Sequence, residues 1–352
     1  MAQRVTIQDI AKELGLSRNT VSKAINNTGS LSPDTRDSIL KKAQEMGYKL
    51  FSYSLSPTQN ESEENAQEEK GDFVLFTTMI LDSMHFSAKM LEVIQEEAAK
   101  LGYGFTMYRI MAQDLKELRL PRNFDKSRAK GIFCVEMFDL SYCKFLCNLG
   151  LPILFADTPI TFGEKPLLAD TVLMENRNGI YEFINEMTKK GKKKFAFIGE
   201  ALHCRSFFER YDAFRGGLEM FLGDDAYEMS KQWNITKNSS SMSWNENMTE
   251  KIKGWKEKPE VIICANDFIA TDVLLTLRSL DIKVPEDVLL CGFDDSPQAQ
   301  ILSPKLTSIR INARDMGYAA LNLMLLRLEN PQKAYRTSYV ESTLVYRESS
   351  NG

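Results

Sequence analysis

The sequence predicts a small all-α N-terminal segment followed by a larger α/β domain built on parallel sheets. Three observations predict it. Residues 1–50 carry helix-period apolar patterns, residues 51–70 carry none after Leu55, and from Gly71 onward short continuous apolar runs alternate with helix-period stretches. Such runs fit strands buried on both faces, and their alternation with helices fits parallel βαβ units with right-handed crossovers.

The 352 residues allow two or three domains. A hydrophobic fraction of 43% with 26% charged residues excludes a largely disordered chain, a coiled coil or a collagen. No apolar run reaches the roughly 18 residues that span a bilayer. The N-terminus, MAQRVTIQDIAKELG, lacks the apolar core of a signal peptide, so a cytoplasmic chain is expected. Its six Cys sit mostly in apolar surroundings and read as reduced core thiols.

The net charge of −4 is an average over unlike parts. Residues 1–50 hold 8 basic and 5 acidic residues, a balance of +3, which leaves −7 for the remainder. That asymmetry suggests that the small segment meets a polyanion and the large one does not.

The first segment reads as three helices. Thr6 can cap a stretch whose apolar positions are Ile7, Ile10, Ala11 and Leu14, with Asp9 as the acidic partner of a capping box. Gly15 supplies the turn, because a positive φ is cheap only for glycine. Ser17 then caps a second helix, Arg18 to about Asn26, with Val21, Ala24 and Ile25 inward and Arg18, Asn19, Ser22 and Lys23 outward. A third helix runs from Pro33 to Met46, with Gly47 beyond its end. Two short helices around a glycine turn make a helix-turn-helix. Its second helix can enter a major groove, where Arg and Lys read guanine and Asn19 reads adenine, while Thr6, Ser17 and Thr20 approach phosphates. A plain three-helix bundle with a solvated polar face has the same spacing. The positive charge and the position before a linker favour DNA.

VTIQDIAKELGLSRNTVSKAIN, followed by SPDTRDSILKKAQEMGY, closely resembles the headpiece of the lactose-repressor (LacI/GalR) family of bacterial transcription regulators, over residues 5–48. The resemblance implies that Arg18 and Asn19 read bases, with Ser22, Lys23 and Asn26 beside them. The hinge departs from the family. Where a Pro-Asn and an Ala-Arg-x-Leu segment would carry a Leu wedged into the minor groove, this chain reads YKLFSYSLSP, with Pro57 at the wedge position. Five Glu follow within residues 61–69. Weak or altered hinge contact is therefore expected, with Leu55 as a possible substitute wedge in a shifted register.

In the large region, strands are expected at Phe73–Phe76, Ile132–Val135, Ile153–Ala156, Phe195–Ile198, Val261–Cys264 and Val288–Phe293. Helices are expected at Ala88–Leu101, Gly179–Lys189, Arg210–Leu222, Phe268–Leu280 and Ala313–Leu328. About 280 residues is long for one such sheet, so two lobes are expected. Open α/β sheets bind ligands beyond the carboxyl ends of their strands. The polar residues there are Asp82, Glu136, Asp157, Gly199–Glu200, Asn266–Asp267 and Asp294–Asp295. A helix N-cap is the simpler reading of Asp267 taken singly. Together the carboxylates and amides form a rim able to hold hydroxyl-bearing ligands.

ANDFIATDVLLTLRSLDIKVPEDVLLCGFDDS, then SPKLTSIR, resembles the effector domain of the same family, as do KKKFAFIGE and SFFERYDAFRGGL. The resemblance implies a periplasmic-binding-protein-like α/β domain of two Rossmann-like lobes with parallel sheets. By it the domains are a headpiece at 1–50, an acidic linker at 51–70 and an effector-binding and dimerisation domain at 71–352. Lobe 1 would span about 71–170 and 309–337, and lobe 2 about 171–308 and 338–352. Arg210 matches the effector-gripping Arg, Ser206 lies one helical turn before it, Asn266 and Asp294 match rim positions, and Asp157 and Asp82 match first-lobe rim sites. An Arg beside Asp and Asn suits vicinal hydroxyls or a carboxylate. Trp233, Trp244, Phe86 and Phe268 could stack on a sugar ring or pack in the core.

The sequence holds no GxxxxGK[ST], GxSxG or HExxH motif, and its only histidines are His85 and His203. Cys143 and Cys147, four apart, and His203–Cys204 are weak metal cues. No enzymatic activity, cofactor or metal is expected. The expectation is a bacterial, nucleoid-associated regulator that binds a palindromic double-stranded operator as a homodimer. A small-molecule effector, a sugar or related metabolite, would control it. A repressor is the expected form. The alternative is a cytoplasmic solute-binding protein without a DNA-regulatory role.

Overall fold

The computed structural model describes residues 6–25, positions 35, 38, 39, 42 and 46, and residues 70–81, 85–237 and 243–351. The chain divides into two compact units, Met1–Ala66 and Gln67–Gly352. In the first, α1 spans Ile7–Leu14 and α2 spans Arg18–Ile25. The expected capping box is present: Thr6 accepts from the Asp9 amide while Asp9 Oδ2 accepts from the Thr6 amide at 2.8 Å. Gly15 ends α1 at φ 64°, and the Ser17 hydroxyl accepts from the Thr20 amide at 3.1 Å to start α2. Ile10, Ala11, Val21, Ala24 and Ile39 form the buried core of this unit. Most of the expected third helix, and Asn26, Leu55, Pro57 and the acidic linker, lie outside the described residues.

The second unit holds two sheets. β1 (Asp72–Thr77), β2 (Gly104–Arg109), β3 (Ala129–Val135), β4 (Ile153–Ala156), β5 (Asp170–Met174) and β10 (Thr337–Val340) form one, in the order β10-β5-β4-β3-β1-β2. All its pairs are parallel. β6 (Phe195–Ile198), β7 (Val261–Cys264), β8 (Leu289–Asp294), β9 (Thr307–Ile311) and β11 (Ser342–Val345) form the other, in the order β11-β9-β8-β7-β6. Only β11 runs antiparallel to its neighbour there. The helices are α3 (Ser87–Lys100), α4 (Ala112–Glu117), α5 (Leu140–Cys147), α6 (Asn178–Lys189), α7 (Arg205–Leu222), α8 (Asp225–Ser230), α9 (Trp244–Lys253), α10 (Asp267–Ser279) and α11 (Ala313–Glu329).

The chain changes sheets three times: after Met174, at Asn312 and at Glu341. Each change falls a few residues later than the lobe limits read from the sequence. β5 and β10 pair with each other inside the first sheet, Thr171 opposite Thr337, and β9 stays in the second beside β8. The three crossings are tied together. Glu175 donates its amide to the Val340 carbonyl at 2.7 Å, and the Asn312 side chain donates to the Glu341 carbonyl at 2.7 Å. All six cysteines are free thiols, five of them buried. Trp233 is core, donating its indole N–H to the Glu257 carbonyl at 2.7 Å, and Trp244 packs against the same cluster at the start of α9.

Candidate effector site and DNA-binding helix

The carboxyl ends of β3, β4 and β8 carry Glu136, Asp157 and Asp294. All three hold positive φ, at 54°, 67° and 108°. Non-glycine residues adopt this region at a cost, and such strain concentrates at ligand sites. α7 supplies Ser206 and Arg210, four apart and so on one helix face.

These residues meet. Asp157 Oδ1 accepts from the Thr158 amide at 2.8 Å and the Ser206 amide at 3.2 Å. Arg210 donates through Nε to Asn176 Oδ1 at 3.0 Å and through one terminal nitrogen to the Ala265 carbonyl at 2.6 Å. That same nitrogen lies 3.5 Å from Asp294 Oδ1. The guanidinium covers the Phe293 ring, 3.6 Å from its centre. Burial holds the Asp157 carboxyl above the ordinary carboxylate range. Burial also raises Asp294, against the pull of Arg210 and His85.

Asp157, Ser206, Arg210 and Asp294 are thus brought into one cluster. Asn266 adjoins it, following Ala265, but its Oδ1 caps α10 by accepting from the Ile269 amide at 3.0 Å. The cap at this strand end is therefore Asn266 and not Asp267. Asp267 is buried as the first helical residue, accepting from the Ser308 hydroxyl and the Ser296 amide, each at 2.7 Å. Asp295 pairs instead with Arg310 and Arg347, at 2.7 and 2.6 Å. Asp82 lies outside the described residues. Phe86 packs against the core, and Phe268 is half-exposed on α10.

On α2, Arg18, Asn19 and Lys23 are exposed, and Thr20 and Ser22 half-buried. The hydroxyls of Thr6, Ser17 and Thr20 take part in the caps described above. The buried Val21 and Ala24 fix which face of α2 turns outward.

Residues 6–49 match the family described as bacterial regulatory proteins, lacI family, and residues 184–350 match the periplasmic binding protein-like domain. The chain joins a LacI-family DNA-binding domain to a periplasmic-binding-protein-like domain. It is a DNA-binding transcriptional regulator, not a solute-binding protein without a regulatory role. Among its relatives is the HTH-type transcriptional regulator RegA of Clostridium saccharobutylicum, 25% identical over 98% of both chains. A complex of the transcriptional regulator CelR with cellobiose shares the fold, with a TM-score of 0.65 at 20% identity, covering 98% of this chain and all of that one. The lac repressor dimer bound to operator and the anti-inducer ONPF does so with a TM-score of 0.64 at 18% identity, covering 99% of this chain and all of that one.

Two residues of this candidate site carried too little signal to be picked out from the sequence. Asn176, fully buried at the first crossing, bridges α7 residues by donating to Glu209 Oε2 at 2.9 Å and accepting from Arg210. Glu209 is 3% exposed and also accepts from Arg205 Nε at 2.9 Å and the Tyr339 hydroxyl at 2.6 Å. The one cue was the Arg205–Glu209 pair at helical spacing. The His85 ring contacts Glu136 Oε1 at 3.2 Å and Ser87 Oγ at 2.7 Å. No helix among the described residues is long and apolar enough to cross a membrane.

Proposed function

We propose that the chain represses transcription as a homodimer on a palindromic operator, and that a neutral polyhydroxyl effector binding between the lobes controls it. The effector is a sugar or a close relative, held by Asp157, Ser206, Arg210, Asn266 and Asp294, with Asp82 as a further rim residue. The headpiece at 1–50 reads DNA through Arg18, Asn19, Ser22, Lys23 and Asn26, with Thr6, Ser17 and Thr20 near phosphates. The acidic linker spans 51–70. Such a regulator works at the bacterial nucleoid, in the cytoplasm, and performs no reaction of its own.

The observation that carries the effector class is how Arg210 is occupied. Its Nε and one terminal nitrogen already donate to protein acceptors, and its face lies on Phe293. Asp294 and Asp157 lie close to it and Glu136 close to Asp294, and their ionised forms repel an anion. A carboxylate or phosphate ligand would meet more negative charge than positive. Hydroxyl groups, which donate, suit these acceptors. The relatives point the same way: one solved neighbour is a cellobiose complex, and another is a dimer bound to operator.

A melting-point screen tests this. Neutral mono- and disaccharides are compared with their phosphorylated and acid counterparts, because a ligand favouring the folded state raises the melting point. At least one neutral sugar is expected to raise it. A rise confined to the anionic members overturns the reading. Repression is checked by a gel shift on the region upstream of the chain's own gene at low salt.

A further inference from the structure

Beside the proposed effector site lies a second set of polar contacts centred on Glu209. Glu209 follows Ser206 by three residues and directly precedes Arg210, yet its carboxylate is taken up by other partners. It takes hydrogen bonds from Asn176, Arg205 and Tyr339, and lies 3.5 Å from Arg177. A carboxylate buried this far demands such partners. What stands out is where they come from. Asn176 and Arg177 lie in the first crossing between the lobes. Tyr339 lies on β10 of the first sheet, two residues before the last crossing at Glu341. Arg205 and Glu209 belong to α7, which joins the second sheet's lobe.

Each group uses both of its capacities. The Tyr339 hydroxyl donates to Glu209 and accepts from Arg205 at 2.8 Å. The Asn176 amide gives its N–H to Glu209 and its oxygen to Arg210, so its orientation is fixed by what it touches. The Tyr339–Glu209 bond spans the two lobes, and Asn176 carries that tie on to the Arg210 guanidinium.

We propose that Asn176 and Tyr339 are positioning residues that tie the Arg210 guanidinium to the strands on which the lobes turn. The grip on effector and the angle between the lobes are thereby one equilibrium. This deepens the regulatory reading above and rests on it. Loosening the tie redistributes the lobes between their arrangements even without effector, and the population competent for DNA moves with them.

The test uses the full chain, without effector, on a duplex that the wild type selects from a random pool. Tyr339→Phe removes one hydroxyl at a half-exposed position. Asn176→Asp sets a carboxylate against Glu209. Asn176→Asp combined with Glu209→Gln exchanges acid and amide, so that the amide at 209 donates to the carboxylate at 176, which still accepts from Arg210. Operator Kd is expected to change by about five-fold or more in each single variant, with cooperative melting retained. The exchange variant is expected to return to within about two-fold of the wild type. A role in stability alone would lower the melting point and leave Kd in place. Single variants that melt cooperatively and bind as the wild type does overturn the proposal, as does an exchange variant that keeps the Asn176→Asp defect. If Asn176→Asp fails to fold, Tyr339→Phe alone decides. A wild type that selects no duplex removes the DNA-regulator reading itself, which is a different failure.

Discussion

The guanidinium carbon of Arg210 lies 3.6 Å from the centre of the Phe293 ring, beside the Asp294 carboxylate at 3.5 Å. Phe293 is thus the floor on which the proposed effector-gripping cation rests. A cation over a desolvated aromatic ring gains about 2 kcal/mol. Phe293→Leu keeps an apolar side chain in the core and removes the ring. It is expected to cost about 2 kcal/mol of stability in urea unfolding and to weaken the effector-induced rise in melting point. An unchanged rise would mean that Arg210 is held by its hydrogen bonds alone.

Two buried carboxylates a short way apart should respond to pH with opposite sign. Burial raises Glu209, but hydrogen bonds from Tyr339, Asn176 and Arg205 outweigh it, leaving the group below its ordinary 4.5. A lowered carboxylate contributes stability that is present above the unfolded value and lost as pH falls through the folded one. Asp294 is raised by burial above its ordinary 3.8. Its folded form prefers the proton, so stability is lost as pH rises from the unfolded value to the folded one. The destabilisation caused by Glu209→Gln is therefore expected to be larger at neutral pH than in acid. The melting point of Asp294→Asn relative to the wild type should instead be more favourable at neutral pH than in acid. Melting curves of both variants across the acid range check the two signs together.

Most of the frame was legible in the sequence because it rests on local patterns. Ile153–Ala156, Phe195–Ile198 and Val261–Cys264 are continuous apolar runs, and they are strands with every residue buried. β2, GFTMYR, was not legible. It is an edge strand whose exposed positions carry Met107 and Arg109, so it lacks the continuous run. β10 and β11 are four residues each, and part of each faces solvent. Their places are set by pairing with distant strands. The same distinction holds at the site. Asp294 was picked out by its strand end, and Arg210 by the resemblance of SFFERYDAFRGGL to the family's effector domain. Asn176 and Tyr339, 163 positions apart, meet Glu209 only through the fold.

The close approach of α3 and α11 gives a prediction independent of ligand. A Cβ added at Gly317 would lie 2.7 Å from the Met90 carbonyl oxygen and 2.8 Å from Val93 Cβ. Neither is the free end of a flexible chain, so the helices must separate. Gly317→Ala is expected to cost about 1–3 kcal/mol by overpacking. At Gly131 the nearest atom is the sulfur of Met324, which can turn aside. Gly131→Ala should therefore cost less, and chemical denaturation of the two variants ranks them.

Asn19 offers the clearest division between reading sequence and holding phosphate. It is exposed near the start of α2, opposite the buried Val21 and Ala24, and no cap uses its side chain. A bidentate amide–adenine contact is worth about 1–3 kcal/mol of discrimination. Asn19→Ala is expected to weaken binding to the selected duplex by about that amount. Binding to an unrelated duplex should stay nearly unchanged, because that binding depends on counterion release at phosphates. The ratio of the two affinities, taken at one salt concentration, is the quantity to measure. Equal losses on both duplexes would place Asn19 against the backbone and leave base reading to Arg18 and the rest of α2.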